Sequence, residues 1–281
     1  MSLETRVYQK ENNKSIFKHA KESFQDIGNS LYLAKQLAVR DIKSQYRQSF
    51  LGIFWALITP LATALVWVVL NLSGTVALSE TGIPYPIFAF SGTLLWSILT
   101  ESINSPINNT NAAKGILSKI NFPKEALVVS GIYKLLFNSS VKIILLFVFL
   151  FLFKVDLSWS LIWFPFVLIA IILFGTTIGL LLTPIGLLYK DISKIIPISM
   201  SFLMYATPVV YIIPKEGFMK ALMEYNPLTA LILTARDVLV GTPPTFLNNF
   251  LIITAIALPL FMVALVLYRI SIPILVERIS S

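Results

Sequence analysis

Apolar residues gather along this chain in six runs of the length an α-helix needs to cross bilayer hydrocarbon, about 20 residues. They fall at about 52–78, 85–109, 126–153, 161–188, 195–213 and 249–268. The pattern ahead of them differs. At 100° per residue, Leu31, Ala34, Ala38, Val39, Ile42 and Tyr46 share one side of a helix over 29–50, while Gln36, Arg40, Lys43 and Arg47 share the other. Charge on one face forbids spanning, so this amphipathic helix is expected to lie in the headgroup plane, and the same pattern suits docking on a soluble partner. Residues 1–28 show no sustained period and are expected to form a polar tail. Pro60, Asn71, Ser73 and Gly74 predict a bent or irregular first span. Between the fifth and sixth runs, Phe218, Leu222, Leu228, Leu231, Ile232 and Leu233 predict short helices dipping back towards the membrane. The expected fold is all-α and polytopic: a tail at 1–28, an interfacial helix at 29–50, six spans within 51–270 and re-entrant gate helices, then a short end at 271–281.

Composition agrees with that pattern. Of the 281 residues, 56% are hydrophobic and 13% charged, against about 45–50% and about 25% in soluble domains. There is no cysteine and a single histidine, His19, so thiol chemistry is excluded and no metal site is expected. A net charge of +8 raises nucleic acid as a partner, but the positions of the cations decide against it. Sixteen Lys and Arg fall on the tail, the even-numbered connections and the end, and only Lys154, Lys215, Lys220 and Arg236 on the opposite side. By the positive-inside rule both termini are expected in the cytoplasm of a bacterial inner-membrane protein, with cations meeting lipid headgroups. No apolar stretch of signal-peptide type opens the chain.

Polar residues within the spans mark candidate chemistry. Ser97, Glu101, Asn104 and Asn108 share a helix face in the second run, as do Lys134, Asn138 and Lys142 in the third. Ionisable groups at membrane depth are costly and should face protein or water. Treating the two runs as an antiparallel hairpin, positions summing to roughly 235 lie at equal depth at 1.5 Å rise per residue. That pairs Glu101 with Lys134, either as a fastener between spans or as part of a transport path. Most aromatics, including Trp96, Trp159 and Trp163, suit an interfacial belt. Tyr205 and Tyr211, flanking Pro208, are candidates for stacking on sugar rings. The sequence lacks a G-x-x-x-x-G-K-[ST] phosphate loop, an H-E-x-x-H motif and a serine hydrolase elbow. ATP-driven work therefore requires a partner. The competing readings are an ion-gradient-driven transporter or channel using Glu101, Lys134 and Lys142, and a membrane enzyme acting on lipid-linked sugars; the second lacks a catalytic cluster.

The stretch VRDIKSQYRQSFLGIFWALITPL (39–61) resembles the entry segment of ABC-2 type permeases that export O-antigen, capsule and teichoic acid polysaccharides. Arg40, Asp41, Lys43, Tyr46, Ser49 and Leu51, then Gly52, Trp55, Leu57 and Pro60, fall on its R-D-x-K-x-x-Y-x-x-S-x-L-G and W-x-L-x-x-P patterns. LSKINFPKEALVVSG (117–131), LLYKDISKIIPI (187–198) and NPLTALILTARDVLVG (226–241) resemble the family in the same order, with Val128 and Val129 where a proline is expected. The resemblance implies a homodimer that moves a lipid-linked glycan, served by two copies of a separate ATPase subunit. ATP and Mg bind that partner, and this chain carries no cofactor. It also implies coupling to the ATPase through the amphipathic helix (Arg40, Lys43, Arg47) and a short helix within 111–122 (Lys114, Lys119). A channel along spans one and five is implied, with Trp55, Trp67, Tyr205 and Tyr211 as candidate lining. An outer gate is implied over about 216–241, containing Asn226, Pro227, Arg236 and Asp237.

Overall fold

The computed structural model describes residues 16–47, 52–74, 82–117, 119–120, 122–156, 158–189 and 191–280. The tail before residue 16, Ser49 and Leu51 of the entry motif, 75–78 of the first run and Lys190 lie outside the described residues. Among those described the chain is helical and without strands: α1 (Ile16–Arg47), α2 (Trp55–Leu72), α3 (Tyr85–Leu117), α4 (Glu125–Leu152), α5 (Phe164–Leu188), α6 (Ile192–Tyr205), α7 (Phe218–Tyr225), α8 (Pro227–Val240) and α9 (Leu247–Ser280). Short 3-10 turns at Gly52–Phe54 and Trp159–Trp163 lead into α2 and α5.

Among the described residues, four stretches are long and apolar enough to cross a membrane: Tyr85–Leu117, Glu125–Leu152, Trp159–Leu188 and Leu247–Glu277. Helix α3 is the axis of the bundle, packed by α5, α4, α2 and α6. Its seam with α5 is close because α5 offers Gly175 and Gly179 one turn apart. A methyl at Gly175 would stand 2.5 Å from the Ser102 Cβ, and one at Gly179 would stand 2.3 Å from the Ile103 carbonyl oxygen. Where lipid removes the hydrophobic drive between helices, such small-residue seams let dispersion hold them together. Ala34 and Ala38 likewise bring α1 close to the bundle, where it packs across α4 and α9.

Several boundaries differ from the sequence expectation. Helix α1 begins at Ile16, within the expected polar tail, because Ser23 and Ile27 dock on the bundle, a tertiary gain that leaves no periodic signal. Helix α3 does not stop at residue 109 but continues to Leu117, so the expected short helix within 111–122 is its last turns; Ala113 and Leu117 are buried there. Helix α9 runs through 271–280 because Ile272 and Val276 pack in the second core cluster. Helix α6 ends at Tyr205, short of residue 213. Its 14 residues reach about 21 Å at 1.5 Å rise each, less than the roughly 30 Å of bilayer hydrocarbon.

Candidate functional site

Helix α2 carries Thr59 and Thr63 one turn apart, and α3 carries Thr93, Ser97 and Thr100; with Ser201 on α6 these hydroxyls line one groove. Its volume is about 480 Å³, and Trp55, Trp96 and Tyr205 supply aromatic walls. Pro60 and Pro197, inside α2 and α6, also line the groove. Glu101 is the one carboxyl-bearing side chain among the described residues lining the groove.

Glu101 does not pair with Lys134, as the depth argument expected. It is met by Lys142 of α4, whose ammonium donates to Glu101 Oε1 and, at 2.7 Å, to Ser97 Oγ. Lys134 instead donates to Asp41 Oδ2 of α1 at 3.3 Å. The correction has a geometric cause. Because α3 continues to Leu117 and α4 starts at Glu125, the hairpin midpoint moves by about 3.5 residues, shifting the matched partner by about seven residues, two turns. The Lys142 side chain is 1% exposed and Glu101 is 40% exposed, so the cation is sealed behind the groove wall while the carboxylate opens into it. Of the remaining stripe, Asn104 donates to the Thr100 carbonyl at 2.9 Å, Asn138 is half-buried, and Asn108 is exposed.

The aromatics separate into two places. Trp55 begins α2 and lines the groove beside the middle of α3; the end of the bundle at which α3 finishes and α4 starts is its hairpin end. Trp67, Tyr205 and Tyr211 form a cluster at the far end, with the Trp67 ring centroid 6.4 Å from that of Tyr205 and 6.3 Å from that of Tyr211. The Tyr211 hydroxyl donates to the Tyr205 carbonyl, holding the chain as it leaves α6.

Beyond α6 the backbone is not helical, yet residues 207–210 are buried, so their carbonyls need donors. Side chains from α3 and α8 supply them. Tyr85 Oη donates to the Val210 oxygen at 2.9 Å, and Asn226 Nδ2 donates to the Ala206 oxygen at 3.0 Å and to Thr207 Oγ1 at 2.9 Å. Arg236, 2% exposed, donates to the Pro208 oxygen at 3.1 Å and to the Val209 oxygen, with its guanidinium 3.8 Å from the Phe88 ring centroid. Gly92 makes room for it: a methyl there would sit 1.9 Å from the Val209 oxygen and 2.1 Å from Arg236 Nη2. Asn226 caps α8, accepting from the Leu228 amide, and Pro227 opens that helix. Asp237 accepts from Thr242 Oγ1 and the Thr245 amide, tying the end of α8 to the approach to α9.

The hairpin end is ionic. Glu125 begins α4, is 1% exposed, and accepts from Ser23 Oγ of α1 at 2.9 Å and from Arg269 Nη1 of α9 at 2.6 Å. Arg269 also bridges Asp26 at 2.7 Å and Glu22 at 3.7 Å, so one guanidinium joins three helices. Beside it, burial lowers the proton affinity of Lys124, with the Glu125 charge working against that. Of the expected coupling cations, Lys43, Arg47 and Lys119 are exposed, Lys114 is half-buried, and Arg40 holds Asp41 through Nε at 2.9 Å and Nη2 at 2.7 Å. Sequence reasoning missed Asp41, Glu125 and Arg269 as partners and Thr59, Thr63 and Ser201 as lining. The threonine spacing of four in the mainly apolar α2 was the available signal.

Comparison with known proteins places this geometry. The ABC-2 type transporter family matches residues 32–240. The O-antigen export system permease protein RfbA of Myxococcus xanthus is 27% identical over 199 residues, covering 70% of this chain and 75% of that protein. RfbA of Klebsiella pneumoniae is 25% identical over 205 residues, covering 70% and 76%. The polysialic acid transport protein KpsM of Escherichia coli is 22% identical over 256 residues, covering 83% of this chain and 91% of KpsM.

Proposed function

The chain belongs to the ABC-2 type transporter family, and on that premise we propose that it is the permease subunit of an exporter of lipid-linked cell-surface polysaccharide, driven by a separate ATPase subunit. The observation that carries this reading is the groove between α2, α3 and α6. Hydroxyls, aromatic walls and a single carboxylate suit a polymer that must slide, since rings can stack and hydroxyls can exchange hydrogen bonds without one deep site. Four stretches are of membrane-crossing length, and α2 and α6 bring the proposed crossings to six. The non-helical backbone after α6 supplements that short helix, tolerable because Tyr85, Asn226 and Arg236 satisfy its carbonyls. In this reading the hairpin end faces the cytoplasm, α7 and α8 form the outer gate, and two copies set their grooves together. No phosphate loop occurs in the sequence, so ATP and Mg act on two partner ATPase subunits. Their closure is transmitted through α1, with Lys43 and Arg47, and through the last turns of α3 and the residues just after it, with Lys114 and Lys119.

The test uses inverted membrane vesicles holding this chain and a candidate partner ATPase, loaded with lipid-linked glycan. ATP should move the glycan beyond the reach of an added lectin, and should do so only with both subunits present. Full glycan movement without an ATPase would overturn the proposal.

A further inference from the structure

Within the groove, charge is distributed unequally between its surface and what lies behind it. The polar groups reaching the open space are hydroxyls and the Glu101 carboxylate, with no cationic side chain among the described lining residues. The balancing cation, Lys142, is sealed behind α3 with its ammonium committed to Ser97 and Glu101 Oε1. Glu101 Oε2 accepts no hydrogen bond within the described chain, and Thr100 Oγ1, also on the groove, is buried without a partner. The pair is neutral in sum but presents its negative end to whatever occupies the groove.

We infer that Glu101, held from behind by Lys142, is a charge-reading residue of the groove: it accepts from the hydroxyls of neutral glycan chains and repels chains bearing carboxylate groups. This rests on the groove being the glycan path. A hydroxyl meeting Oε2 donates a charge-assisted hydrogen bond, stronger than a neutral one. A uronate meeting the same oxygen stands closer to the carboxylate than to the sealed ammonium, so repulsion outweighs attraction in a site of intermediate dielectric. Discrimination of this kind works by an unfavourable element against the wrong ligand rather than by added affinity for the right one. The fixed lysine has a second consequence. It prevents the carboxylate from swinging away to relieve the repulsion.

The experiment uses the full chain in lipid nanodiscs, with two probes of equal length: maltoheptaose and an α-1,4-linked heptamer of galacturonic acid. Binding is read by quenching of tryptophan fluorescence, since Trp55 and Trp96 line the groove. The wild type should bind the neutral heptamer about tenfold more tightly than the uronate at low salt, with the gap shrinking at high salt as screening reduces it. Glu101→Gln leaves the Lys142 charge uncompensated and should raise uronate binding above the neutral probe. Because that variant strains a buried cation, the paired replacement Glu101→Gln with Lys142→Met removes both charges and should bring the two probes within about twofold, the difference left when no full charge faces the groove. Equal binding of both probes to the wild type, or a gap unchanged in both variants, would overturn the charge-reading role while leaving the groove as glycan path. Failure of both probes to bind the wild type and both variants would overturn this role and the groove's place as the path together.

Discussion

The two ends of the bundle solve the same problem with opposite chemistry. At the hairpin end Arg269 meets Glu22, Asp26 and Glu125, and full charges join α1, α4 and α9. At the far end Arg236 is more deeply buried, and the described contacts of its guanidinium are the Pro208 and Val209 carbonyls and the Phe88 ring. An ion pair resists separation but can be remade with another partner, whereas a guanidinium serving carbonyls holds a backbone segment that has no helix of its own. The hairpin end is therefore joined by exchangeable charge pairs, and the far end holds an irregular segment in one shape.

Substitutions can break this contrast in graded fashion. Arg236→Met should have the largest effect, about 3 kcal/mol, because two buried carbonyls lose their donors at about 1–3 kcal/mol each; denaturation in detergent micelles reads it. Gly92→Ala should follow at about 2 kcal/mol, the cost of forcing a methyl against a packed neighbour, and Arg236→Lys in the same background should recover part of it by withdrawing the fork. Glu125→Ala should cost roughly 1–2 kcal/mol, since Arg269 keeps Asp26 and is partly exposed. Its sharper signature is earlier protease cleavage within α1. Asn226→Ala removes a helix cap and should cost about 1 kcal/mol. Charge reversal at Lys43 should move stability by less than about 0.5 kcal/mol, as exposed sites do, yet abolish glycan-stimulated ATP hydrolysis by the partner. Retained stimulation would separate α1 from coupling.

Much of the helical framework follows from apolar run length alone, because a membrane helix must satisfy its backbone internally and so declares itself in composition. The boundaries do not. The span was expected to end at residue 109, yet Ala112 to Lys114 favour helix and the helix carries on through Gly115 to Leu117; that single misplacement sent the Glu101 partner two turns along α4. Helix α6 stops at Tyr205 for a reason far away in sequence, because Arg236 and Asn226 supply the donors that let the backbone leave the helix. The depth argument paired Glu101 with Lys134, and the structure pairs it with Lys142. The groove hydroxyls were individually unremarkable and became a surface once α2, α3 and α6 were set side by side.

The most direct test exploits the absence of cysteine from the sequence. With the partner ATPase present, Thr63→Cys on the groove and Leu65→Cys on the exposed side of α2 are treated with a small water-soluble maleimide. The groove cysteine should label readily and become protected when lipid-linked glycan and ATP are supplied together, while the other remains unlabelled throughout. Labelling at Thr63→Cys that is no greater than at Leu65→Cys, or that is blind to moving glycan, would contradict the groove as the path.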